Sequence, residues 1–291
     1  MSLLETHIPE KYLPFLDPFL KTALAEDHGP GDYSSASVVS PGHQGQAELK
    51  IKEPAVLAGL DLVAYLVDRY DPELTFKRMA QDGERVAAGT MGLRLEGSLR
   101  SILGIERLLL NCVQHMSGIA TQTRRFVDHL QNYSVKLLDT RKTTPTLRFM
   151  DKWAVEIGGG VNHRFGLYDM IMLKDNHVDA AGGINQALER AHSYRLKHHM
   201  QIPIEIETRS LKEVEEVLHG PLPDIIMFDN YTPSELQKGV ELVQGRCETE
   251  ASGGITMDNI IQYAQTGVDG ISTSALTRPA SVPDLSLKVL S

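Results

Sequence analysis

From residue 134 onward the chain repeats one pattern: a short apolar run ending in polar or charged residues, then a stretch with the spacing of an amphipathic helix. The runs are VKLLD, DMIMLKD, IPIEIE, DIIMFD, ETEAS and VDGIS, separated by helical stretches such as 183–199, 210–219, 233–244 and 256–265. Strand and helix in alternation require a parallel sheet, because parallel neighbours need a crossover connection. Six or seven such units without a Gly-rich nucleotide fingerprint favour a parallel βα barrel, incomplete or irregular, over a doubly wound sheet. In a barrel the reacting groups sit at the C-terminal ends of the strands.

The first half reads differently. Residues 14–26 have helical spacing and stop at Asp27-His28-Gly29-Pro30-Gly31-Asp32, where glycine and proline forbid continuation. Short alternating segments follow between 45 and 98, broken by Asp82-Gly83 and Ala88-Gly89 and by one helical pattern near 60–70. A long helix is expected over 100–131, with Gly118 as the place for a kink. This predicts an N-terminal α+β domain over 1–115, with 276–291 packing back on it, and a βα-barrel domain over 116–275.

With 42% hydrophobic and 23% charged residues the chain can bury a sizeable core. The net charge of −9 argues against a general nucleic-acid or acidic-membrane surface, so any anion must bind in a local pocket. The two cysteines, Cys112 and Cys247, form no CxxC pair and suggest neither a disulfide framework nor a thiolate metal cluster. The segment from Met1 to Leu20 carries Glu5, Glu10, Lys11 and Asp17 and lacks a signal-peptide apolar core, and no apolar stretch of about 18 residues occurs elsewhere. A cytoplasmic protein without a membrane partner is the expectation.

The strand ends supply Asp139-Thr140-Arg141-Lys142, Lys174-Asp175-Asn176, Glu207, Asp229-Asn230, Ser252-Gly253-Gly254 and Ser272. Any one of these could simply mark where a buried strand meets solvent; six together point to a site. The window 136–177 is cationic in an acidic protein, and its mixture of arginine forks and lysine point charges suits a small polyanion. Arg148 and Lys152 fall on a helical pattern and read as a solvated face, which excludes them. Gly158-Gly159-Gly160 calls either for a close backbone approach or for a flexible loop, and it is no P-loop. His163 by itself is as well explained by a structural role. Glu207 and Asp229, ending consecutive strands, suit Mg²⁺ or ribose hydroxyls, with a retaining glycosidase pair as the rival. Ser252-Gly253-Gly254 and Gly270-Ile271-Ser272 stand where barrels bind phosphate, a plain turn being the alternative.

The stretch DTRKTTPTLRFMDKWAVEIGGGVNHRFGLYDMIMLKDNH (139–177) resembles the central signature of quinolinate phosphoribosyltransferases. ERLLLNCVQHMSGIAT (106–121), EIET, MFDN, EASGGI and GVDGIS are similar to the family in the same order, as is EDHGPGDYSS near the start, so the likeness covers nearly the whole chain. It implies phosphoribosyl transfer from phosphoribosyl pyrophosphate to quinolinate with decarboxylation, giving nicotinate mononucleotide in NAD biosynthesis. It implies that Arg107 from a neighbouring subunit joins Arg141, His163, Arg164 and Lys174 around the two carboxylates, in a homodimer with shared active sites and further assembly left open. Lys142 would contact pyrophosphate, with Thr140 beside it. Glu207 and Asp229 would face ribose and Mg²⁺, directly or through water. Ser252, Gly253 and Gly254 would bind the 5′-phosphate, with Ser272 and Ser274 nearby. Three departures stand out: Ser274 and Arg278 where the family has Gly and His, and Thr146 where Gly is common. Other readings are a Schiff-base aldolase using Lys174, a related pyrophosphorylase associated with molybdenum transport, and a binding protein without turnover.

Overall fold

The computed structural model describes residues 7–278 and 281–290, so Glu5 and Pro279 lie outside it. The chain divides into two compact units.

Unit 1 contains the chain up to Arg124, the segment Phe149–Gly159 and the C-terminal strand. Its antiparallel sheet runs in the order Leu285–Leu290, Gln44–Ile51, Met91–Ser98, Thr75–Arg78. Alternation drives it: Ala47, Leu49 and Ile51 on one strand and Leu93 and Leu95 on its neighbour are buried at a period of two. Helix Leu99–His129 runs through Gly118 without interruption. Ser117 and Thr121 on this helix accept the backbone N–H groups of Ala58 and Val56 at 2.9 and 2.8 Å, which is why unit 1 extends past the cut expected at 115/116.

Helix Arg148–Ile157 also belongs to unit 1 from Phe149 onward. Phe149 lies 6.0 Å from the ring of Phe15 and 5.5 Å from that of Phe19, and Trp153 stacks on Tyr12 at 5.6 Å. Lys152, read from sequence as part of a solvated face, is fully buried, as is Asp151, which meets His115 at 2.6 Å. Gly158 explains part of the glycine run. A Cβ there would fall 2.6 Å from Thr123 Cβ and 2.7 Å from the Ala120 carbonyl, so the close backbone approach is to the long helix rather than to a ligand.

Unit 2 holds Arg125–Arg148 and the chain from Gly160 to the turn after the last barrel strand. Its six parallel strands stand in the order Lys136–Leu138, Gly270–Ser272, Glu248–Ser252, Ile225–Asp229, Ile204–Thr208, Ile171–Leu173. All six are the apolar runs of the sequence. First and last strands in the chain are neighbours, as in a barrel, but among the described residues no hydrogen bonds join Lys136–Leu138 to Ile171–Leu173. Among the described residues one isolated bridge, Val161 to Leu138, stands at that opening, so the sheet is not closed there by hydrogen bonds.

Thr146 occupies a left-handed backbone conformation, φ 66°, which is strained for a β-branched residue. Glycine would adopt this conformation without that strain. Thr146→Gly should raise stability by about 0.5–1 kcal/mol, the relief of roughly 1–2 kcal/mol of left-handed strain less the added chain entropy of glycine. Denaturant unfolding checks this, and a loss of stability would contradict the strain.

Candidate active site

Residues two apart on a strand share a face. On five strands the inward pairs are Met172 and Lys174, Glu205 and Glu207, Met227 and Asp229, Glu250 and Ser252, and Gly270 and Ser272. The outer member of each pair, with Met172, Met227, Asp139, Thr140, Arg141, Lys142, His163, Arg164 and Gly253, lines a cavity of about 330 Å³. Beneath it Glu205 and Glu250 are buried. The strand period thus sets a polar rim at the barrel mouth above a layer in which Glu205 and Glu250 stand among Met172, Met227 and Gly270.

The lower layer holds His163, whose Nε2 lies 3.1 Å from Glu205 and 3.3 Å from Glu250. Burial opposes a charged imidazole, but the two carboxylates outweigh it and raise the affinity for a proton on the Nε2 side of the ring. Burial also pushes the Glu205 carboxyl up, ahead of the opposing bond from His163. Geometry bears on where the proton resides: the Arg164 backbone N–H donates to Nδ1 at 2.8 Å, which requires a lone pair there. The ring therefore presents a proton on Nε2 to the carboxylates, and the raised Glu205 carboxyl favours a proton held on this side of the ring. The same three residues have metal-like spacing. A metal on Nε2 would strip the ring of its remaining proton, so the Nδ1 bond argues against one. Asp139 fixes the start of the loop by accepting the His163 backbone N–H at 2.8 Å.

The upper layer places Arg141, Lys142, Arg164 and Lys174 around Glu207 and Asp229. Pairing of Leu173 with Ile206 brings Lys174 beside Glu207, and the two form an ion pair. Asp229 stands opposite Ser252, and its carboxyl is pushed up by burial and then by the neighbouring charge of Glu207. Burial, and next the charge of Arg141, push the Arg164 guanidinium down. Two mutually repelling guanidinium groups in a cavity are relieved by an anion that meets both.

The end of the cavity at Ser252 and Gly253 is built on positive-φ backbone. Gly253 has φ +93°, and a Cβ there would fall 2.3 Å from Asn230 Oδ1; Asn230, itself at φ 59°, donates to Asp229 at 2.7 Å. Only glycine fits against that asparagine. Ser272 and Ser252 hydroxyls are 3.1 Å apart. Thr277 donates to the Lys142 carbonyl at 2.8 Å, tying the turn that carries Ser274 and the exposed Arg278 to the Lys142 loop.

Of the residues singled out from sequence, Thr140, Arg141, Lys142, His163, Arg164, Lys174, Glu207, Asp229, Ser252, Gly253 and Ser272 meet in this cavity. Gly254 is exposed beside it at φ +62°, Ser274 is half-buried outside its lining, and Arg107 is exposed on helix Leu99–His129 in unit 1. Glu205 and Glu250 were not singled out. Their signal is present, since each stands two residues before a strand-end polar residue and so must point inward. Arg148, read as solvated, is half-buried and bonded to two of the site's loops.

A barrel with a cationic pocket, a carboxylate pair and a glycine-built turn at its strand ends defines an enzyme of the α/β-barrel class that handles a small polyanion. Residues 32–117 match the family model for the quinolinate phosphoribosyl transferase N-terminal domain, and residues 119–288 match that for the C-terminal domain. A mitochondrial quinolinate phosphoribosyltransferase [decarboxylating] 2b from Nicotiana tabacum is 39% identical over 94% of this chain and 82% of its own length. A probable nicotinate-nucleotide pyrophosphorylase [carboxylating] from Synechocystis is 40% identical over 94% of this chain and 92% of its own. The structure of the nicotinate-nucleotide pyrophosphorylase from Francisella tularensis superposes with a TM-score of 0.90 at 33% identity, covering 98% of both chains. The chain belongs to the quinolinate phosphoribosyltransferase family.

The lower layer makes a pH prediction. A carboxyl raised in the folded state stabilises the fold at low pH and loses that contribution as pH rises through its folded value. Glu205→Gln, already neutral, should therefore gain stability relative to the unmodified chain as pH rises above the ordinary carboxyl value of 4.5. Chemical unfolding at a series of pH values measures the difference; a constant difference would mean that Glu205 holds no extra proton.

Proposed function

We propose that this chain transfers the phosphoribosyl group of phosphoribosyl pyrophosphate to the ring nitrogen of quinolinate and releases CO₂, forming nicotinate mononucleotide and pyrophosphate. The observation that carries the reading is the repelling pair Arg141 and Arg164 in the same cavity as the carboxylate pair Glu207 and Asp229. Two guanidinium groups suit a dicarboxylate, and two carboxylates suit the hydroxyls and bound cation of a sugar phosphate. Family membership supplies the identity of both substrates.

Arg141, Arg164 and Lys174 hold the two carboxylates and aim the ring nitrogen at the anomeric carbon, which replaces diffusion by orientation. The nitrogen's electron pair forms the new C–N bond as the C–O bond to pyrophosphate breaks, and Lys142 offsets the charge that departs. The ring nitrogen then carries positive charge. Loss of the adjacent carboxylate as CO₂ leaves an electron pair on carbon that this charge stabilises until a proton replaces the lost group. His163 acts from below the substrate: its two ring nitrogens face Arg164 and the buried glutamates, so it shapes the Arg164 loop. Ser252, Gly253 and Gly254, with Ser272 and Ser274 nearby, serve the 5′-phosphate.

The carboxylate pair fits Mg²⁺, because Asp229 is pushed up by burial and by Glu207, a repulsion that a divalent cation would relieve. Glu207 and Asp229 would hold it directly or through water, and when bound it would neutralise phosphate charge. Arg107, exposed in unit 1 and outside the cavity lining, would complete the dicarboxylate pocket of a second copy in a homodimer. A cytoplasmic setting fits two free thiols, Cys112 pushed up to about 12 and Cys247 to about 11 by burial, and the absence among the described residues of any helix long and apolar enough to cross a membrane. Lys174 as an aldolase nucleophile would require its ion pair with Glu207 to break first.

The test is an assay of the purified chain with quinolinate, phosphoribosyl pyrophosphate and Mg²⁺, following nicotinate mononucleotide and CO₂. Turnover is expected, falling by roughly a hundredfold or more in Lys174→Ala through loss of a charge aimed at the substrate. Absence of product from the unmodified chain would overturn the assignment.

A further inference from the structure

Arg148 stands at the first position of helix Arg148–Ile157, where the helix dipole favours an acidic side chain. Its charge gains nothing for the helix. Its donors go elsewhere: Nε donates to Thr143 Oγ1 at 3.0 Å and Nη1 donates to the Phe165 carbonyl at 3.0 Å. The guanidinium also lies 6.0 Å from the centre of the Phe165 ring.

Both acceptors are one or two residues from the cavity's repelling arginines. Thr143 passes the connection on, since its hydroxyl donates to the Arg141 carbonyl at 3.4 Å. Phe165 follows Arg164 directly, and its own N–H and that of Gly166 are held by Asp169 at 2.6 and 2.9 Å. One side chain therefore joins the Arg141 loop to the Arg164 loop. The two loops carry like charges, Arg141 and Arg164, into the same cavity.

We propose that Arg148 is a positioning residue for the dicarboxylate clamp: by bonding Thr143 and Phe165 at once it sets the separation of Arg141 and Arg164, and so the affinity for a ligand with two adjacent carboxylates. This rests on the functional reading above. It is specific in what it affects, because the carboxylates at the Mg²⁺ end and the glycine turn at the phosphate end make no bond to Arg148. A planar guanidinium can direct two donors to divergent acceptors, whereas an ammonium offers a single point of charge.

Steady-state kinetics of the full chain and of Arg148→Gln, Arg148→Lys and Thr143→Val, with thermal midpoints, test the proposal. Arg148→Gln should raise the KM for quinolinate about tenfold or more, the effect of releasing charge-assisted hydrogen bonds and misplacing the clamp, while the KM for phosphoribosyl pyrophosphate changes less than about twofold. Lysine should fail to restore it. Thr143→Val, which removes one arm without touching Arg148, should give a smaller rise with the same selectivity. An unchanged quinolinate KM in Arg148→Gln would overturn the proposal, as would parallel rises in both KM values with a lowered thermal midpoint, the mark of a merely structural arginine. An unmodified chain that neither binds nor turns over quinolinate would overturn the functional reading and the clamp together; one that turns over normally beside an unaffected Arg148→Gln would overturn the clamp alone.

Discussion

Every second residue of a barrel strand must face the interior, and this alternation governs the rest of the site. It stacks Glu207 above Glu205 and Ser252 above Glu250, so that the reacting surface and its buried support are written on the same strands. A one-residue slip in a strand would turn that strand's members of both layers outward. Strand pairing is therefore what aligns Lys174 with Glu207 and Asp229 with Ser252.

The lower layer explains how a cationic pocket can sit on buried acid. Glu205 and Glu250 stand 3.1 and 3.3 Å from His163 Nε2 in the barrel interior, and His163 Nδ1 accepts the Arg164 backbone N–H. Buried charge that is paired in this way costs far less than the same groups apart. The consequence is a substrate loop anchored from beneath by His163, from the strand by Asp139 and within itself by Asp169. Such anchoring fixes the loop that carries Arg164 into the cavity.

Much of this was legible in sequence because it depends on local pattern. All six barrel strands follow from apolar runs ending in polar residues, and the cluster of strand-end residues follows from the barrel. Two kinds of feature were hidden. Lys152 looks like the outer face of an amphipathic helix, and nothing in its spacing says that unit 1 buries it. Arg148 looks equally ordinary, because its acceptors, five and seventeen residues away, meet it only through the loops that fold around it. Glu205 and Glu250 were readable by period two, yet attention to strand ends alone passes them by. Thr146 is a different case: its departure from glycine was visible, and its meaning, a positive φ, needed the backbone.

The central claim is that Arg141 and Arg164 form one receptor for two carboxylates. Calorimetric binding of quinolinate, compared with nicotinate, which lacks the carboxylate beside the ring nitrogen, tests it most directly. The account predicts that nicotinate binds weaker by roughly tenfold or more, because one guanidinium loses its charge-assisted partner. Equal affinity for the two acids would contradict it.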